Sequence, residues 1–201
     1  EFFKAGASAQ LEHVLVQHAN IGLYIRNTAP VVVRNSRILD TSKTSQSAAI
    51  LVDGAEPTIE NCELVNIDGS STGIRIRDMR TIPTFKDNVI RGFGDLMILG
   101  SGTSGEPTYL DPSHLSRISG TTHSGNTRDF ISLYHVTLLG DYTWRSVDGM
   151  EMRVGFGWLA VPANRTLIVP AGTTMRFLDS GWLNVAGTLE AVGTETEPIV
   201  F

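Results

Sequence analysis

Apolar and polar residues alternate in short runs along this chain, and the runs return at nearly fixed intervals. Val33, Ile59 and Phe85 are separated by steps of 26 residues. Ile38, Leu64 and Ile90 keep the same step of 26, as do Asn35, Asn61 and Asp87 between them. A fainter copy lies upstream, where Leu11, His13 and Val16 precede Val33, Asn35 and Ile38 by 22 residues. A repeat of a few dozen residues marks a solenoid, in which each unit buries its apolar face against its neighbours. A second short run follows each copy: Leu23/Ile25, Ile50/Val52, Ile74/Ile76 and Leu96/Ile98, each after a small residue. These runs alternate with period two and are too short for helices. Turn residues separate them at Asn27, Asp53-Gly54, Asp68-Gly69 and Arg91-Gly92. Each unit is therefore expected to be two or three very short strands joined by corners. Such units stack into parallel sheets with a rise of ~4.8 Å per coil.

Stacking makes residues about one period apart into lateral neighbours. Glu12, Arg34, Glu60 and Lys86 then form one column of alternating charge. Alternating signs favour this register over a slip. Arg26, Asp53, Arg77 and Leu99 are expected to form a second column. Asn35, Asn61 and Asp87 form a third, whose side chains are expected to satisfy backbone groups at a turn, as stacked amides do. Cys62 falls in the column Val14, Ser36, Cys62, Asn88 and reads as a small stacked residue. It is the only cysteine, so an intrachain disulfide is excluded.

The pattern breaks over residues 100–114, where Gly100-Ser-Gly-Thr-Ser-Gly-Glu-Pro107 and Asp111-Pro112 have loop composition. A coil is expected to resume at Leu115–Ile118, with a turn at Gly125-Asn126 and a strand at Phe130–Leu133. The last stretch carries apolar-x-apolar triplets at Leu159, Leu167, Met175, Leu183, Leu189 and Ile199. Leu159 to Leu183 is 24, Leu167 to Leu189 is 22 and Met175 to Ile199 is 24 residues, so the period persists with tighter turns. The expected organisation is one all-β domain over 1–201, of about seven to eight coils. Residues 1–99 form the asparagine-centred coils, 100–129 a lateral loop and irregular coil, and 130–201 the Gly-Thr-turn coils.

Two motifs carry a family resemblance. The first runs through Leu167-Ile-Val-Pro170-Ala-Gly172-Thr, Gly181-Trp-Leu-Asn-Val-Ala-Gly187-Thr-Leu-Glu-Ala191 and Pro198-Ile-Val-Phe201. It resembles the recurrent pattern of bacterial right-handed parallel β-helix surface proteins. The asparagine-centred repeats of residues 30–90 are similar to those of the pectate-lyase-like superfamily. The resemblance implies a right-handed, single-stranded parallel β-helix. It does not single out a function, because this fold hosts lyases, hydrolases, adhesins and phage spikes.

Composition narrows the partners. Apolar residues make up 41% of the chain, enough for a continuous core. The net charge of -5, with both signs spread along the sequence, argues against a nucleic-acid partner. No run approaches the length needed to span a membrane. Scarce lysine and plentiful Gly, Ser and Thr suit an extracellular or cell-surface protein, whose leader is expected to lie outside a sequence beginning at Glu1. Neither end shows a polar capping coil, so the chain is expected to be a segment of a longer repeat protein or to stack end to end on its own kind.

Candidate chemistry is sparse. Calcium-dependent pectate lyases use clustered aspartates with an arginine base. Of Asp40, Asp53, Asp68 and Asp78, only Asp53 and Asp78 are placed to approach each other, beside Arg75, Arg77 and Arg80. The column arginines, Arg34 in the first and Arg26 and Arg77 in the second, read either as a basic groove for acidic polysaccharide or as a solvated ion ladder. Trp144, Trp158 and Trp182 read either as corner packing or, for Trp182 at the start of a triplet, as an outward platform for sugar rings. The five histidines show no metal-ligand spacing, and no cofactor motif is present. The expectation is a non-catalytic structural or adhesive solenoid of a secreted or surface protein. The alternatives are a polysaccharide lyase and a carbohydrate-binding module. The residues singled out for carbohydrate are Asp53, Arg75, Arg77, Asp78, Arg80 and Trp182.

Overall fold

The computed structural model describes residues 3–5 (backbone only), 8–26, 30–41, 47–77, 82–100, 108–178 and 180–201. Its strands form five sheets, and every strand pairs in parallel with the strand of the next coil. Sheet A is the spine. It stacks Phe3–Ala5, Ile21–Arg26, Ala48–Asp53, Thr72–Arg77, Asp95–Gly100, Arg128–Tyr134, Met152–Val154 and Arg176–Phe177. These eight strands correspond to a β-solenoid of about 7 turns. In the first coils, each strand of sheet A is followed by one of sheet B and one of sheet C. Sheet B holds Ala9–Glu12, Val31–Arg34, Thr58–Glu60, Thr84–Lys86 and Ile118–Ser119. Sheet C holds Leu15–Gln17, Arg37–Leu39, Glu63–Val65, Val89–Arg91 and Thr122–Ser124.

The cross-section then changes. Thr108–Leu110 starts sheet D, which continues through Val136–Leu138, Gly157–Val161 and Gly181–Val185. Sheet E follows with Tyr142–Thr143, Thr166–Val169 and Thr188–Ala191. One wide coil visits A, D, B and C, and the later coils visit A, D and E. The break in pattern at 100–114 therefore holds the first strand of a new sheet. Residues 101–107 lie outside the described residues. The coil expected to resume at Leu115–Ile118 enters sheet B at Ile118, and Leu115–Arg117 before it is the end of a 3-10 helix, Pro112–Arg117. Asp111 caps that helix by accepting the Ser113 N–H at 3.0 Å, and Pro112 occupies its first turn, where no N–H is needed.

The core is the column of inward residues that the period picks out. Val33, Ile59 and Phe85 are buried, as are Ile38, Leu64 and Ile90, and Ile50, Val52, Ile74 and Ile76. The first charge column has the expected register, with Glu12 opposite Arg34, Arg34 opposite Glu60 and Glu60 opposite Lys86. The second holds for Arg26, Asp53 and Arg77, but Leu99 stands opposite Ile76. Met97, not Leu96, stands opposite Ile74. Leu96-Met-Ile-Leu99 is an unbroken apolar run, so alternation does not fix its phase. At the far end, Thr174 bridges Val200, which moves Met175 out of the expected pairing with Ile199.

The corner between sheets B and C explains the asparagine column. His13, Asn35, Asn61 and Asp87 all hold left-handed backbone, with φ of 50 to 55°. Asn and Asp tolerate this region better than most residues. One such residue turns the chain, and its N–H bonds the coil beyond: Asn35 to the Glu60 carbonyl at 3.2 Å and Asn61 to the Lys86 carbonyl at 3.1 Å. The buried side-chain ladder is the neighbouring column. Ser36 Oγ accepts the Val14 N–H at 3.1 Å and donates to the Arg34 carbonyl at 2.7 Å. Asn88 Oδ1 accepts the Cys62 N–H at 2.9 Å, and its Nδ2 donates to the Ile59 carbonyl at 2.9 Å. The expected role of Asn35, Asn61 and Asp87 thus divides: they supply the turn, and the residue after each lies inward.

Candidate functional site

Outward positions on sheet A bring Asp53, Arg75 and Arg77 onto one strip. Arg77 stands opposite Asp53, and Arg75 stands between Leu51 and Ile98 of the adjacent coils. Asp78 and Arg80 lie outside the described residues. Arg75 is only 6% exposed, and Leu51, Ile98 and Ser132 in its column are buried with it. Burial, with Arg77 nearby, lowers the pKa of the Arg75 guanidinium. One of its nitrogens, Nη2, donates to Thr72 Oγ1 at 3.4 Å. Asp53 Oδ2 accepts the Tyr24 hydroxyl at 3.0 Å, and the Arg26 guanidinium lies 5.6 Å from the Tyr24 ring centroid. Burial and the Asp53 carboxylate together raise the Tyr24 pKa. Among the described residues this strip is a stacked ladder of Arg26, Asp53 and Arg77, with Tyr24 and the recessed Arg75 in the column beside it.

Trp182 belongs to a different arrangement, on sheet D. The strands Gly157–Val161 and Gly181–Val185 pair so that Trp158 stands opposite Trp182. Their ring centroids are 5.8 Å apart and their planes are tilted by 44°. Leu159 and Val161 alternate with Trp158 and point into the core, so the two indoles project outward. Trp182 is 49% exposed, and Trp158 is half-buried. Trp158 rests on the His135 imidazole, edge to face, at 4.4 Å and 83°. His135 is the left-handed corner residue (φ 52°) between sheets A and D, and it is buried. Gly157 makes this contact possible: a Cβ there would lie 2.5 Å from the His135 ring, and its φ of 91° also favours glycine. Phe156, 51% exposed, adds a further ring 5.7 Å from His135. The result is a strip of aromatic rings along the solenoid, braced from behind by a buried imidazole. Trp144 behaves otherwise: it is buried and packs edge-on against Tyr142 at 6.2 Å, a corner residue.

The 24-residue step that joins Leu159 to Leu183 also joins Trp158 to Trp182, so their adjacency is readable in the sequence. Phe156 and His135 carry no such signal, because both lie at the corner where alternation is interrupted.

Clefts of about 220, 270 and 360 Å³ open around Arg145, where the cross-section changes. The carboxylates beside it are engaged elsewhere. Asp148 accepts the Gly120 and Thr121 N–H groups, Asp141 accepts the Thr166 N–H, and Glu151 pairs with Arg153 and Arg176. His123 Nδ1 lies 3.0 Å from Asp129 Oδ1. Among the described residues, no group of three or more His, Cys, Asp or Glu is arranged to hold a metal ion. Compared with known protein families, curated proteins and solved structures, the chain matches none.

Proposed function

We propose that this chain is a non-catalytic adhesive β-solenoid of a secreted or cell-surface protein, and that it holds carbohydrate on the aromatic strip of sheet D. The observation that supports this reading is the outward pair Trp158 and Trp182, one exposed and both in register along the rod. Solvent-exposed indoles on a rigid sheet offer flat, polarisable surfaces to the C–H faces of sugar rings, at little cost in side-chain entropy. A lyase reading would place its base among Arg75, Arg77 and Arg80, and the burial of Arg75 weighs against it.

The test is retention on a glycan array, with Trp182→Ala beside the parent chain. The expected result is binding to at least one glycan class, weakened at least tenfold by Trp182→Ala, with the bound glycan recovered intact. Absence of binding to every glycan, or equal binding by the variant, would remove the reading. Release of unsaturated uronide products from polyuronate would replace it with the lyase.

A further inference from the structure

Resting on that carbohydrate reading, we infer that the strip takes a single glycan chain of at least two sugar units, lying parallel to the solenoid axis, and not the flat face of a crystalline polysaccharide. Three observations carry this. The first is direction. Trp158 and Trp182 come from successive coils and stand directly opposite in the parallel register, so the line joining them runs along the rod. The second is spacing. Their centroids are 5.8 Å apart, close to the length of one pyranose unit in a chain. Consecutive sugar rings can therefore sit on consecutive indoles, whereas one sugar spans only one of them. The third is tilt. The indole planes differ by 44°, so one planar surface does not lie flat against both at once. A single chain rotates about its glycosidic bonds and meets each ring in turn.

The support behind the strip fixes this geometry in advance. The His135 ring stands edge-on to Trp158 at 4.4 Å and fills the space left by the missing Gly157 side chain. Trp158 is thereby held against a buried corner, and Trp182 leans on Trp158. His135 is a positioning residue here, since it is buried and out of reach of a glycan. Phe156 lies beside His135 at the edge of the strip, where it flanks the chain without extending its line.

The experiment measures affinity against chain length by calorimetry. The probes are soluble ladders of one to four units: cello-, chito-, malto- and galacturono-oligosaccharides. Microcrystalline cellulose and chitin serve as solid probes in pull-downs. The expected result is a rise of at least tenfold from one unit to two or three in at least one ladder. Trp158→Ala and Trp182→Ala should each bring that rise down to the level of the single sugar. Trp182→Phe, which keeps a ring, should retain part of it. Circular dichroism of each variant confirms the fold, and Trp182 is exposed enough for its replacement to leave the core intact. Affinity that does not depend on length, absence of binding to all four ladders, or retention on a crystalline solid that soluble chains fail to compete would each overturn the inference. A glycan held on the array with no length dependence leaves the adhesive reading standing and removes only this one. An array without any bound glycan removes the reading beneath it.

Discussion

At the corner between sheets B and C, adjacent residues have separate tasks. Asn35, Asn61 and Asp87 adopt positive φ, and Ser36, Cys62 and Asn88 turn inward beside them. Asn88 is the most demanding of these, because its amide satisfies two main-chain groups of the neighbouring coil at once. Asn88→Ala leaves the buried Cys62 N–H without its acceptor, a loss of about 1–3 kcal/mol, and takes one donor from the Ile59 carbonyl, which keeps its place in the ladder with Thr84–Lys86. Urea denaturation should show the midpoint falling accordingly, and Asn88→Ser should fall less. The column was legible as a row of asparagines at fixed spacing, but its division into turn and ladder was not. A left-handed residue interrupts the period-two alternation, so side assignment by counting fails at that step. Tyr142 makes a second residue-scale case. Its phenol is buried, and burial pushes its pKa up to about 12 from the ordinary 10.0. The hydroxyl donates to the Arg145 carbonyl at 3.3 Å and lies 3.2 Å from the Met152 sulfur. Below pH 10 both folded and unfolded chains keep the proton, and the contribution is fully present. As pH rises from 10 to about 12 the unfolded chain loses its proton first, so stability falls across that window. The loss is on the order of 3 kcal/mol for this group alone. Tyr142→Phe should flatten that part of the stability-against-pH curve, as read from urea midpoints, and an unchanged slope would show that Tyr142 contributes nothing to it.

At the scale of the strand, register is held by an apolar inner column and by charged outer ones. Arg34 Nε reaches Glu60 Oε2 at 2.9 Å, Arg37 Nε reaches Glu63 Oε2 at 2.6 Å, and Arg91 pairs with the other oxygen of Glu63. These pairs are partly exposed, so each contributes little to stability by itself, and like charges placed opposite cost a similar amount. Glu60→Lys faces Arg34 and Lys86 from both sides, and it should destabilise by roughly 0.5–1 kcal/mol. The exchange Arg34→Glu with Glu60→Arg should recover the part that belongs to the Arg34 contact, and a double-mutant cycle in urea reads that coupling. Zero coupling would mean that the column sits in register for packing reasons alone. The first column was readable because its residues flank strictly alternating apolar positions. Leu99 was misplaced because nothing polar breaks Leu96-Met97-Ile98-Leu99, and a slip by one leaves an apolar residue facing the core either way. The Trp158 and Trp182 pair was readable for the same reason as the first column. The outward direction of Arg75 was readable from the alternation, but its cover was not: it is 6% exposed on the outer face of sheet A.

At the scale of the molecule, each coil touches chiefly its neighbours, and the cross-section can change partway without loss of the stack. The periodicity made the solenoid legible. The change from sheets B and C to D and E was not, because the first strand of sheet D, Thr108–Leu110, is only three residues long and sits in sequence of loop composition. The measurement that tests the stacked architecture most directly is a distance along sheet B. Glu12, Arg34, Glu60, Lys86 and Ser119 follow one another in register through five strands. Spin labels at Glu12 and Ser119 are thus separated by 107 residues of chain but by only four strand spacings, about 19 Å. Pulsed electron resonance should give a single narrow distribution near that value, widened only by the label arms. A broad distribution, or one centred at more than about twice that distance, would contradict the stacking of successive coils.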